Sequence, residues 1–361
     1  MIKLALLSSL VPAALLLAAS TSVAEEKPPM VSSTEFAAKP VTLAIGARGE
    51  LVSFESRSPV DWAPALHGEL GPSVRLNGQF FRPIRVSGRM PVTIIVPGSG
   101  NLGTHHLAEA SALVSRGIAV LLVDPFRGRG IADTIADQGQ LTWAASTYDV
   151  LAAAKYLRGR PDVDPRRIGA LGGSRGGTAV MMAVARPFSD AILGKGKGIR
   201  AVVAGYPWCG TQFRNARLAK GASLLVLQGD RDDWVSVQQC QDAVHAMTVA
   251  RQDAAMRIVP GASHAFDRAD VSPTRIESAV TSTTFPTVYM NDAGEYYDLR
   301  TGMVDPRLGS LDFTSYAVSG GFVRKGVTIG SRPGDAQAFM TEMTAFFVQH
   351  LVDRREAKSG R

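Results

Sequence analysis

Gly172, Gly173, Gly176 and Gly177 surround a single serine, Ser174, in the stretch GALGGSRGG at residues 169–177. The flanking runs differ in kind. Arg167 to Leu171 reads as the end of a buried strand, and Thr178 to Ala185 reads as a helix. A strand that turns straight into a helix leaves Ser174 in a tight corner. Glycines beside it remove side chains that would strike the neighbouring strand and helix. Few folds place a serine in such a corner, so this turn constrains the chain more than any bulk property.

The same alternation continues along the chain. Leu51–Ser56 and Val74–Phe81 suggest early strands, as does Val41–Ile45. Val92–Val96, Ile118–Val123, Arg200–Tyr206, Ser223–Gln228 and Met256–Val259 are further apolar runs. Helical patterns lie at about His105–Ser115, Thr142–Leu157, Val237–Val249 and Asp335–Leu351. Continuous apolar strands alternating with helices predict an α/β fold: a mostly parallel, doubly wound sheet covered by helices on both faces. Function in such sheets gathers beyond the carboxyl ends of the strands. There the sequence places Pro97-Gly98-Ser99-Gly100-Asn101, Asp124 to Gly130, Pro207-Trp208-Cys209 and Gly229 to Asp233.

Three segments stand outside this pattern. Residues 1–24 carry Lys3, an apolar run from Leu4 to Ala19 and Ser22-Val23-Ala24, the pattern of a signal peptide cleaved after Ala24. The expected location is periplasmic or secreted, with no membrane span after signal removal. Residues 25–40 read as a flexible leader ahead of one domain over 41–361. Residues 266–333 form a long irregular insertion, either a flap over the site or a surface excursion, with a hairpin signal at Asn291-Asp292-Ala293-Gly294. The net charge of +7 is scattered, which argues against a nucleic-acid partner. No histidine spacing suits a metal, and no cofactor is expected.

Gly172-Gly173-Ser174-Arg175-Gly176 matches G-x-S-x-G in its strand-to-helix context, where the serine serves as a nucleophile. A serine hydroxyl needs a base, and the base an orienting acid, in the chain order serine, acid, histidine. Asp232 follows a later strand and His264 the strand after it. Asp233 is a rival acid, whereas Asp230 reads as a loop cap. His245 and His350 lie within helices, His67 in an early loop, and His105 and His106 at a helix start. The expected oxyanion donors are the Arg175 N–H and either Ser99 or Asn101.

GGSRGG, GDRDDW and PGASHAFD, with DPFRGRG and GYPWCG, resemble the α/β-hydrolase superfamily and, more narrowly, the dienelactone hydrolase-like family. The resemblance covers residues 90–267 and the last helix. It implies the α/β-hydrolase fold and hydrolysis of a small-molecule ester through an acyl-enzyme, with Ser174, Asp232 and His264 in the catalytic roles. Dienelactone hydrolases proper use cysteine where this chain has Ser174, so a general carboxylesterase is the expectation. A peptidase or acyltransferase would use the same triad, and a non-catalytic exported binding protein could share the fold. Cys209 and Cys240 fall at neighbouring strand ends, where they could form a disulfide or stay as buried thiols. Arg127, Arg129 and Arg175 could bind a substrate carboxylate or pair with aspartates, and Trp208 and Trp234 are candidates to wall the pocket. The sequence leaves the oligomeric state open.

Overall fold

Residues 31–84 and 88–352 are described in a computed structural model of the chain. The signal-peptide segment and the first part of the leader lie outside the described residues. Among these residues twelve strands follow in chain order: β1 (Glu50–Arg57), β2 (Ser73–Phe81), β3 (Met90–Val96), β4 (Ala119–Asp124), β5 (Val163–Gly173), β6 (Ala201–Gly205), β7 (Thr211–Phe213), β8 (Ser223–Gly229), β9 (Asp253–Val259), β10 (Thr274–Thr281), β11 (Val288–Met290) and β12 (Arg324–Ile329). The helices are α1 (Ser33–Ala38), α2 (Trp62–Leu66), α3 (Thr104–Val114), α4 (Trp143–Arg158), α5 (Arg175–Ala183), α6 (Arg186–Leu193), α7 (Val237–Val249), α8 (Ser310–Ser319) and α9 (Asp335–Phe347).

Eight strands form one sheet in the order β1-β2-β4-β3-β5-β6-β8-β9. Only the β1–β2 and β2–β4 pairs are antiparallel; from β4 onward every pair is parallel. The apolar runs explain why both faces are covered. Successive side chains point to opposite faces of a strand, so Val92, Ile94, Val202, Val226 and Leu224 join Val150, Val180 and Phe188 of α4, α5 and α6 on one face. Ile95, Val203, Leu225 and Leu227 join Phe36, Leu113 and Phe339 of α1, α3 and α9 on the other. The expected doubly wound, mostly parallel sheet is therefore what forms.

Three expectations change. Residues 33–38, within the segment read as a flexible leader, form α1 and bury Phe36 against the sheet. Gln79 reaches back to hold this segment, donating to the Phe36 and Lys39 carbonyls. Val41–Ile45 does not become a strand but contributes a single bridge between Thr42 and Arg48. The 266–333 insertion is also more ordered than its sequence suggests. It contains β10, β11, β12 and α8, with β10 paired antiparallel to β12 and β11 parallel to β7. Its strands are mixed in exposure, and weak periodicity hides such strands from a sequence reading.

Register aligns the carboxyl ends that matter. Val96 pairs with Gly172, Gly173 with Gly205, Gly205 with Leu227, and Gly229 with Val259. Cys209 and Cys240 form the disulfide, with Cα atoms 5.1 Å apart, and so tie the loop after β6 to the start of α7. Closing a loop across a separation of 31 residues should contribute about 3–4 kcal/mol, mainly by restricting the unfolded chain. Denaturant unfolding of a Cys209→Ser/Cys240→Ser variant should show a loss of this size. A change below about 1 kcal/mol would exclude that contribution.

Candidate active site

β5 runs directly into α5, and Ser174 is the residue between them, with φ 55° and ψ −121°. A non-glycine residue in that region is strained and needs its surroundings to hold it. Those surroundings are backbone. The Ser174 N–H donates to the Gly205 carbonyl at 2.8 Å, and the Thr178 N–H returns to the Ser174 carbonyl at 2.9 Å. The glycines of the motif answer to contact rather than to positive φ. A Cβ on Gly172 would meet the Gly176 carbonyl carbon at 2.3 Å, and one on Gly176 would meet the Val96 oxygen at 2.4 Å. A Cβ on Gly173 would strike the Tyr206 hydroxyl at 2.3 Å, and one on Gly177 the Gly205 oxygen at 2.6 Å.

Ser174, Asp232 and His264 come together. The Ser174 Oγ lies 2.9 Å from His264 Nε2, and His264 Nδ1 lies 2.8 Å from Asp232 Oδ2. Both the imidazole and the carboxylate are buried. Asp232 Oδ1 accepts from the Trp234 and Val235 N–H groups, and Oδ2 also accepts from Gln228 Nε2. A carboxylate so fully bonded is fixed in place and can fix the tautomer of the ring it faces.

The rivals have other partners. Asp230 accepts from the Gly261 N–H. Asp233 turns outward to β12, accepting from the Thr328 N–H at 2.7 Å and its hydroxyl at 3.1 Å. The insertion is thereby joined to the acid-bearing loop. It is also joined to the histidine: His264 bridges to Ile329, and Gly330 N–H donates to the His264 carbonyl.

The two loop candidates for an oxyanion donor separate. Asn101 spends its N–H on the Gly98 carbonyl and its side chain on Ser33, Ala132 and Leu102. Its φ of 68° belongs to that turn, so Asn101 is not an available donor. The Ser99 N–H has no partner among the described residues, while its hydroxyl donates to Gln138. Arg175 is the first residue of α5, where a helix leaves its N–H groups without intrahelical partners.

The arginines read as possible carboxylate binders are occupied. Arg129 lies against the buried Asp149 in a two-pronged pair at 2.8 and 2.9 Å, and also reaches Ser58. Arg127 donates to Thr34 at the surface. The Arg175 side chain turns under the loop before α4, donating to the Leu141 and Gln138 carbonyls, with its guanidinium 4.2 Å from the Trp143 ring. Burial draws its pKa down to about 9. Trp208 stacks on Trp143 at 4.7 Å and lies outside the cavity. Trp234 does wall the cavity, with its ring 4.8 Å from that of His264. Sequence patterns favoured these arginines because they sit at strand ends; their aspartate and carbonyl partners come from distant segments.

A cavity of about 210 Å³ opens beside Ser174 and His264. The insertion supplies one wall through Val271, Thr274, Ile276, Ser278 and Ile329, and Ile135 and Trp234 add apolar surface. The insertion thus contributes one side of the cavity lining. His105, His106, Tyr206 and Arg268 also line the cavity. The place of His105 and His106 at a helix start beside the loop at residues 97–101 is the one sequence signal for this, and Tyr206 and Arg268 have none. Among the described residues no group of three or more His, Cys, Asp or Glu side chains could hold a metal ion.

With this geometry in hand, comparison with known proteins gives the following. The sequence pattern of the prolyl oligopeptidase family (Peptidase_S9) matches residues 104–196. An uncharacterized protein of Mycobacterium tuberculosis is 29% identical over 62% of this chain and 83% of its own length. A Bradyrhizobium protein described as a probable 2-oxo-3-(5-oxofuran-2-ylidene)propanoate lactonase is 26% identical over 51% of this chain and 76% of its own. Among solved structures, an esterase from Thermogutta terrifontis is 18% identical with a TM-score of 0.42, over 54% of this chain and 81% of that one.

The crowding around the turn makes its own prediction. Gly176→Ala should force the β3 end away and cost about 1–3 kcal/mol in denaturant unfolding. A fully stable variant would show that the close approach to the Val96 carbonyl is not required.

Proposed function

We propose that this chain, whose mostly parallel sheet and strand–serine–helix turn have the α/β-hydrolase arrangement, is an exported serine hydrolase, dienelactone hydrolase-like, that cleaves small to medium carboxylic esters. The observation that carries the reading is the continuous hydrogen-bonded chain from Ser174 through His264 to Asp232 at the carboxyl ends of the parallel strands.

The steps follow from that chain. His264 Nε2 takes the Ser174 proton as Oγ attacks the ester carbonyl carbon. The imidazolium so formed donates from Nδ1 to Asp232, whose bonds to Gln228, Trp234 and Val235 keep it in place. Negative charge on the carbonyl oxygen faces the N–H groups of Arg175 and Ser99, at the positive end of α5. Collapse of the tetrahedral adduct breaks the ester C–O bond, and His264 returns its proton to the leaving alcohol. Water then repeats the sequence on the acyl-enzyme, releasing the acid and restoring Ser174.

The mainly apolar cavity wall and the modest volume support small ester substrates. A peptidase reading is favoured by one observation, the prolyl oligopeptidase match that spans Ser174. Export is supported by the signal-like N-terminal sequence and by the Cys209–Cys240 disulfide, which suits an oxidising compartment.

A panel of p-nitrophenyl and alkyl esters, with aminoacyl anilides as the competing class, tests the reading on wild type and Ser174→Ala together. Ester turnover by the wild type and none by Ser174→Ala is expected. Preference for anilides would favour the peptidase, and no turnover of either class would reject the hydrolase. Asp232→Asn should lower kcat by about 10²–10⁴-fold, whereas Asp233→Asn should stay within about tenfold. The reverse order would make Asp233 the acid.

A further inference from the structure

Beside the triad lies a buried polar cluster that the reaction above does not use. Tyr206 follows β6 with φ 36°, in the left-handed region that a tyrosine avoids. Its ring packs edge-to-face with the His264 imidazole, centroids 4.7 Å apart. Its hydroxyl donates to Asp267 Oδ1 at 2.7 Å. Asp267 and Glu109 of α3 are both buried, and the Asp267 charge acts on Glu109. Two such buried carboxyl groups keep a proton between them more readily than they ionise together.

We propose that Tyr206 is a positioning residue for His264, with its ring locked against the imidazole by the bond of its hydroxyl to Asp267. This rests on the triad reading. An isolated backbone strain would relax if nothing opposed it. Here the strained Tyr206 is held at its hydroxyl by Asp267 and at its ring by His264 and Phe266. The groups facing the carboxyl pair favour this protonation. His105 and His106 of α3 are kept neutral by burial, His106 down to about 3. Arg268 supplies the nearby positive charge, acting on both histidines and on Asp267. Burial, and then the Asp267 charge, push the Glu109 carboxyl well above the usual range. The folded protein keeps a proton there that the unfolded chain gives up, so this contribution to stability falls as pH rises towards Glu109 ionisation. Once Glu109 ionises, two adjacent buried carboxylates repel, and the anchor on Tyr206 loosens.

Tyr206→Phe keeps the ring and removes the anchor. It should lower kcat about tenfold with KM within about twofold, because a misplaced base weakens proton transfer more than binding. The ¹⁵N resonances of His264 should also shift. Unchanged kcat, or a loss explained by a fall in Tm to the assay temperature, would overturn the proposal. Glu109→Gln, which cannot ionise, should match wild type at neutral pH and keep about threefold more of its kcat at pH 9.5. An alkaline limb superimposable on that of the wild type would remove the shared proton from the account. If the wild type turns over no ester, the proposed function fails, and the His264 resonances alone decide the positioning claim. A Tyr206→Phe spectrum identical to wild type would reject it.

Discussion

Everything at the site depends on the close approach of four backbone segments around Ser174. The serine can hold φ 55° only because its N–H is tied to Gly205 and because the ends of β3 and β6 and the start of α5 meet where side chains would stand. The same crowding sends the hydroxyl out over the sheet edge. It also starts α5 at the very next residue, Arg175. The proposed nucleophile and the N–H groups proposed to support it are therefore one geometric fact.

Asp232 and His264 reach that point by sheet register. β8 and β9 are neighbours, and the pairing of Gly229 with Val259 sets the loops bearing Asp232 and His264 side by side. The 266–333 insertion then fastens both loops. β12 bonds Asp233 on one side and bridges His264 on the other, and the Trp234 indole donates to the Val280 carbonyl of β10. A segment that builds the cavity wall thus also holds the groups beside it. Substitutions in the wall and in the triad are expected to be coupled rather than additive.

The sequence was informative where physics is local. Apolar runs bounded by glycines located the sheet strands, and the strand–serine–helix corner singled out Ser174. The order serine, acid, histidine nominated Asp232 and His264. It was less informative where meaning depends on partners from afar. Arg129 and Arg175 sit at strand ends like binding residues, yet Asp149 on α4 and carbonyls before α4 occupy them. Asn101 and Ser99 were equivalent until the turn showed which N–H is already used. The leader residue Phe36 gives no periodic signal, because one buried ring is enough to dock a single-turn-scale helix. The carboxyl pair of Glu109 and Asp267 joins residues far apart in the chain, and neither position hints at the other.

In the proposed function, His264 and Asp232 make the Ser174 hydroxyl reactive. The most direct measurement is peptide-mapped mass spectrometry after exposure of folded protein to a fluorophosphonate. A single adduct on Ser174 is expected, lost in a His264→Ala variant that retains its fold. Wild-type protein that stays unmodified, or that carries its adduct on a different serine, would contradict it.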